Sequence, residues 1–208
     1  KSSLENGVWT YHMENVQAGL RTAIRALGEL PGDISAMGIS GMMHGYLAFD
    51  KDWNLLAPFR TWQNTMTGEA ADKLTAEFGF NVPQRWSIAH LYQAVLNGEA
   101  HVKNIAHITT LAGYVHYLLT GENVLGVGEA SGMFPIDSEA LDYDAAMLEK
   151  FDALTARYGF AWTARSVLPR VLTAGQAAGA LTQDGSAFVD GLLPAGIPFC
   201  PPEGDAGT

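Results

Sequence analysis

The stretch Ile34-Ser35-Ala36-Met37-Gly38-Ile39-Ser40-Gly41-Met42-Met43-His44-Gly45-Tyr46-Leu47-Ala48-Phe49-Asp50 decides how this chain is read. Its first seven residues form a short, largely apolar run of the kind that lies inside a sheet, and residues 46–50 form a second. Between them Gly41-Met42-Met43-His44-Gly45 breaks the pattern with two glycines. Glycines let the backbone turn sharply, and side chains at such a strand end project from the sheet edge. Met42 or Met43 there could pack in the core with His44 capping a turn, or His44 could hydrogen-bond a sugar hydroxyl; the spacing alone leaves both open.

Outward from this stretch, Val16, Leu20, Ile24 and Leu27 recur at helical spacing and predict an amphipathic helix over residues 14–30, stopped by Pro31-Gly32-Asp33. On the other side, the polar turn Asp50-Lys51-Asp52-Trp53-Asn54 leads to a further strand at 55–62. A strand, a hairpin and flanking helices make an α/β domain. From Thr67 the pattern is mostly helical, with helices expected at 68–78, 87–96, 109–119 and 143–158, and Gly79, Gly98, Gly121 and Gly159 sit where glycine closes a helix. Residues 197–202 read as a strand running into a loop. The whole chain, residues 1–208, is read as one domain.

Composition removes several function classes. Ten surplus negative charges oppose binding to a phosphate backbone, which depends on clustered Lys and Arg. No apolar run is long enough for a bilayer, and no signal-peptide layout is seen, so a cytoplasmic location and no membrane partner are expected. The single Cys200 cannot pair within the chain, and its apolar neighbours Phe199 and Pro201 favour a packed thiol over a nucleophile. The six histidines show no HExxH spacing and no CxxC exists, so no metal site built from protein ligands alone is expected.

Two further segments carry candidate chemistry. Gly204-Asp205-Ala206-Gly207-Thr208 places a carboxylate among small residues, suited to orienting and deprotonating an alcohol in phosphoryl transfer, or else simply forming a turn. Arg60-Thr61-Trp62-Gln63-Asn64-Thr65 combines a cation, an aromatic face and amides, a set suited to sugars. It reads equally as a strand end with Arg60 solvated and Trp62 in the core.

In order and spacing these segments resemble the FGGY carbohydrate kinases, most closely their xylulokinase branch. The resemblance rests on Gly41-Met42-Met43-His44-Gly45, on Trp62-Gln63-Asn64-Thr65 in the place of a W-x-D-x-R segment, on Thr120-Gly121-Glu122, on Glu129-Ala130-Ser131-Gly132, and on Gly204-Asp205. Asn64 stands where aspartate is usual, Thr65-Met66 where arginine is common, and His90-Leu91-Tyr92-Gln93 matches a K-L-x-W-like helix only weakly.

The resemblance implies a ribonuclease-H-like, actin-type ATPase fold with helical insertions, forming the amino-terminal half of a two-domain sugar kinase. It implies Asp205 as catalytic base and Met43, His44, Trp62 and Asn64 as substrate-binding residues. ATP and Mg²⁺ are the implied cofactors, held mainly by a first phosphate-binding strand and a carboxy-terminal ATP domain that this sequence lacks. The implied reaction is phosphorylation of a small sugar, a ketose such as xylulose, with a polyol or a sugar acid as alternatives. A non-catalytic sugar-binding domain, towards which Asn64 leans, is the competing reading, and an actin-like assembly protein a weaker third. A small-molecule sugar is the expected partner, with a homodimer among the assemblies open to the chain.

Overall fold

Met13 begins an amphipathic helix because its apolar positions Val16, Leu20 and Ile24 fall on one face, and that face covers Leu119, Leu181, Leu193 and Phe199. The computed structural model describes residues 2–28 and 33–205. The chain opens with a hairpin of β1 (Ser3–Glu5) and β2 (Val8–Thr10), absent from the sequence reading, and continues through α1 (Met13–Ala26). The helix therefore ends before residue 30, and its predicted stop falls largely outside the described residues.

Next come β3 (Ser40–Gly41), β4 (Leu47–Phe49), α2 (Gly68–Phe78), α3 (Ser87–Leu96), β5 (His107–Thr109), α4 (Leu111–Thr120) and β6 (Val124–Gly126). They are followed by α5 (Val127–Ala130), β7 (Ile136–Asp137), β8 (Asp142–Tyr143), α6 (Ala145–Thr155), α7 (Ala164–Val167), β9 (Arg170–Leu172), α8 (Gln183–Phe188) and β10 (Glu203–Gly204). Helices α2 and α3 keep their expected bounds, while the region after Thr67 holds more strand than expected. Residues 107–109 pair with β4 instead of starting a helix, and β6 pairs with β9 in parallel. Three-residue strands carry too little periodicity to stand out beside helices.

The predicted strands at 34–40 and 55–62 are mostly extended chain. The first contributes β3 and a bridge from Met37 to Phe199; the second bridges Phe49 of β4 at Leu55 and Tyr46 at Arg60, and the Leu56 amide donates to the Ala48 carbonyl. Residues 197–202 do run beside residues 37–41, and β10 pairs with β3 in parallel.

The main core lies between β4, α2, α3 and α6 and is filled by Ala48, Leu74, Ile88, Leu91, Phe134 and Phe151. The starts of α4 and α6 are each capped by a side-chain oxygen: Thr110 accepts from the Gly113 amide and Asp144 from the Met147 amide. Gly79, Gly121 and Gly159 close helical segments in the left-handed conformation. Among the described residues no helix is long and apolar enough to cross a membrane. Cys200 is exposed, against the expectation of a packed thiol, because the extended chain sends Phe199 into the core and its neighbour the other way.

Candidate functional site

The candidate site is assembled where β3 meets β10. Their parallel pairing aligns Gly41 with Gly204, and the Asp205 amide donates to the Gly41 carbonyl at 2.7 Å. The Met43 amide lies 3.5 Å from Asp205 Oδ1, at the outer limit of a hydrogen bond. Two segments 162 residues apart are thereby joined.

The close approach depends on Gly204. A Cβ at that position would stand 1.9 Å from Met43 Cγ and 2.5 Å from Glu129 Oε2, so a side chain there would displace Met43. The other end of the turn depends on Gly45, whose φ of +84° is left-handed and whose Cβ would meet the Arg60 carbonyl oxygen at 2.7 Å. Gly45 also locks the turn to the start of α3: its amide donates to the Arg85 carbonyl at 3.1 Å and its carbonyl accepts from Ser87 Oγ at 2.6 Å.

Met42, Met43, His44, Trp62, Arg85 and Asp205 line one open cleft of about 360 Å³. Four of the five residues expected at the site are thus brought together. Trp62 is 51% exposed and presents an aromatic face, the opposite of a core residue. Asp205 is exposed at the rim.

Asn64 does not line the cleft. It is 3% exposed, and its amide nitrogen donates to the carbonyls of Trp9 and Thr61 while its Oδ1 accepts from the Trp9 amide. Its side chain fastens β2 to the segment carrying Trp62. Arg60 is neither solvated nor in the cleft, since it is buried, paired with Glu99 and stacked over the Tyr46 ring at 5.4 Å.

His44 has a φ of +65°, a conformation uncommon without glycine. Arg85 Nε–H donates to His44 Nε2 at 3.1 Å, and because a guanidinium can only donate, Nε2 is the acceptor. The proton therefore sits on Nδ1, which donates to the Gly132 carbonyl at 3.1 Å. Burial first, and the positive charge of Arg85 second, hold the imidazole below its ordinary pKa, so it is neutral. With both nitrogens engaged, His44 positions Arg85, and a hydrogen bond to a sugar would require exchanging one of these partners.

Two groups at this site were not among the expected site residues, although Glu129 belongs to one of the segments that carry the resemblance. Arg85, in the loop before α3, had no motif to mark it. Glu129 is fully buried behind Gly204, and burial raises its carboxyl pKa to about 8; the Thr110 hydroxyl offsets this in part, while the nearby Glu203 and Asp205 carboxylates add to it. Its backbone amide donates to Glu203 Oε2 at 2.9 Å. Among the described residues no group of three or more His, Cys, Asp or Glu is arranged to hold a metal ion.

Residues 8–207 match the model of the FGGY family of carbohydrate kinases, N-terminal domain. The chain belongs to that family, whose members are phosphotransferases. It is 27% identical to a glycerol kinase of Thermococcus kodakarensis over 90% of this chain and 36% of that protein. It is 22% identical to a xylulose kinase of Staphylococcus xylosus over 73% of this chain and 31% of that protein. The chain spans about a third of the length of these curated relatives. The crystal structure of xylulose kinase from Rhodospirillum rubrum superposes with a TM-score of 0.81 at 21% identity, covering 99% of this chain and 43% of that one. The shared fold is the actin-type ATPase fold.

Proposed function

We propose that this chain is the sugar-binding part of an ATP-dependent kinase that phosphorylates a hydroxyl of a small polyhydroxylated acceptor, with Asp205 as general base. The observation that carries the reading is the pairing of β3 with β10, which sets the Asp205 carboxylate beside the 42–44 turn and across a cleft from Trp62. Trp62 offers a face for the apolar side of a sugar, and Met43 a wall that excludes water. Asp205 takes the proton of the acceptor hydroxyl as its oxygen forms a bond to the γ-phosphorus. The bond from that phosphorus to the bridging oxygen breaks, and its electron pair leaves with ADP. ATP supplies the phosphoryl group and Mg²⁺ offsets its charge; both are assigned mainly to parts of the protein beyond this chain.

The order of motifs fits a small sugar acceptor, with a ketose such as xylulose, a polyol and a sugar acid as the alternatives. The exposed thiol of Cys200 suits a reducing cytoplasm. Asn64, which leaned towards a non-catalytic domain, has a structural duty that accounts for it. ADP release by the full-length protein across ketoses, polyols and sugar acids tests the reading, with Asp205→Asn as control. A stimulated turnover that falls on the order of 10²- to 10⁴-fold in the variant supports it. Acceptors that raise the melting temperature without stimulating ADP release would support a non-catalytic sugar-binding domain instead.

A further inference from the structure

The cleft contains one cation and one acid. Arg85 is the cation, and its Nε is tied to His44 while its backbone carbonyl is held by the Gly45 amide. Neither terminal nitrogen of its guanidinium has a carboxylate within ion-pair distance among the described residues, although Arg25, Arg60 and Arg165 are each paired with one. Among the described residues Arg21 and Arg157 likewise have no carboxylate partner, but each lies over an aromatic ring, whereas Arg85 is fixed at Nε in the cleft that holds Asp205. The remaining walls, Met42, Met43, Trp62 and the neutral His44, offer Arg85 no negative charge. Asp205 lines the same cleft, and among the described residues it forms no ion pair with Arg85, so the two charges act at separate points.

Resting on the kinase reading above, we infer that Arg85 is a specificity-determining residue that binds a carboxylate of the acceptor, and that the acceptor is a sugar acid rather than a neutral ketose. A guanidinium presents two parallel N–H donors that match a carboxylate, and holding Nε on His44 leaves the far edge for the ligand. The two charges also set the direction of binding. The acceptor's carboxylate is attracted to Arg85 and repelled by Asp205, so the hydroxyl presented to the base is one remote from the acid group. A neutral ketose would gain neither the charge-assisted bonds nor this orientation, and would leave the guanidinium to water. His44 is then a positioning residue, acting on the acceptor through Arg85.

The test uses the full-length protein with a panel of aldonates and ketoaldonates, neutral ketoses and polyols, and sugar monophosphates. ADP release is measured for the wild type, Arg85→Gln and Arg85→Lys, and melting temperature is recorded with each acceptor alone. Arg85 is exposed, so neither substitution threatens folding. The expected result is a preference for a sugar acid, reduced on the order of 10- to 100-fold in kcat/KM by Arg85→Gln, chiefly through KM. Arg85→Lys recovers part of the loss, and the fall on a neutral ketose is smaller than the fall on the sugar acid. Preference for a neutral sugar or a sugar monophosphate, or an equal loss on charged and neutral acceptors in Arg85→Gln, overturns the inference. If no acceptor stimulates ADP release, the kinase reading fails and the melting temperatures still decide. A sugar acid that stabilises the wild type but not Arg85→Gln upholds the inference, and no sugar acid stabilising the wild type overturns it.

Discussion

Glu129 Oε2 would lie 2.5 Å from a Cβ on Gly204, with Met43 Cγ closer still at 1.9 Å, so the residue before the candidate base has room for hydrogen alone. The candidate base owes its position to that packing, because β10 pairs with β3 at Gly204 while Met43 occupies the space a side chain there would need.

Gly204→Ala is therefore expected to move Asp205 as well as to strain the cleft. Overpacking of this kind costs about 1–3 kcal/mol, measured as a lowered urea midpoint. Turnover should fall more than stability implies, since a displacement of about 1 Å costs on the order of 10²-fold. Unchanged kinetics in a folded Gly204→Ala protein would remove Asp205 from the reaction.

Asn64→Asp restores the residue usual in the family and is expected to damage this protein. An aspartate cannot donate to the carbonyls of Trp9 and Thr61, which would be left facing a buried carboxylate. The loss should be about 1–3 kcal/mol in denaturant unfolding. Because Asn64 does not line the cleft, the affinity for the acceptor should change little while the protein remains folded.

Glu129 makes stability depend on pH in an identifiable window. Its carboxyl titrates near 8 in the folded chain against an ordinary 4.5, so the folded state holds a proton that the unfolded state has lost. Stability is fully present below about 4.5 and declines as pH rises to about 8, by up to about 1.4 kcal/mol per pH unit. Glu129→Gln, which mimics the protonated form, should flatten this slope and melt higher than the wild type at pH 8. Parallel pH profiles for the two proteins would show that Glu129 ionises normally.

Glu99→Ala should destabilise more than an ordinary surface change. Arg60 is buried at 8% exposure, and removing Glu99 leaves its charge without a carboxylate. The Tyr46 ring beneath it only partly compensates. A loss of about 3 kcal/mol is expected, towards the lower end for broken buried pairs because Glu99 is partly solvated. A change below about 0.5 kcal/mol would show that water replaces the partner.

The sequence by itself determined the helices α2 and α3 to the residue and α1, α4 and α6 to within a few residues, because apolar stripes and closing glycine or polar residues are local signals. It also determined the family, through the order of short segments from Gly41 to Asp205, and four of the residues that line the cleft. Tertiary structure alone decided the rest. Strands of two or three residues such as β3, β9 and β10 exist only by virtue of partners far along the chain, so no local pattern announces them. Whether a polar side chain faces a ligand or its own backbone is likewise a matter of where the chain returns. Asn64 and Trp62 are two residues apart, yet one is consumed by Trp9 and Thr61 and the other is open to the cleft. Arg85 sits in an unremarkable loop, and only its meeting with His44 gives it a direction. Local propensity is written in neighbouring residues, whereas a site is a set of side chains whose hydrogen-bond partners are settled by packing across the whole domain.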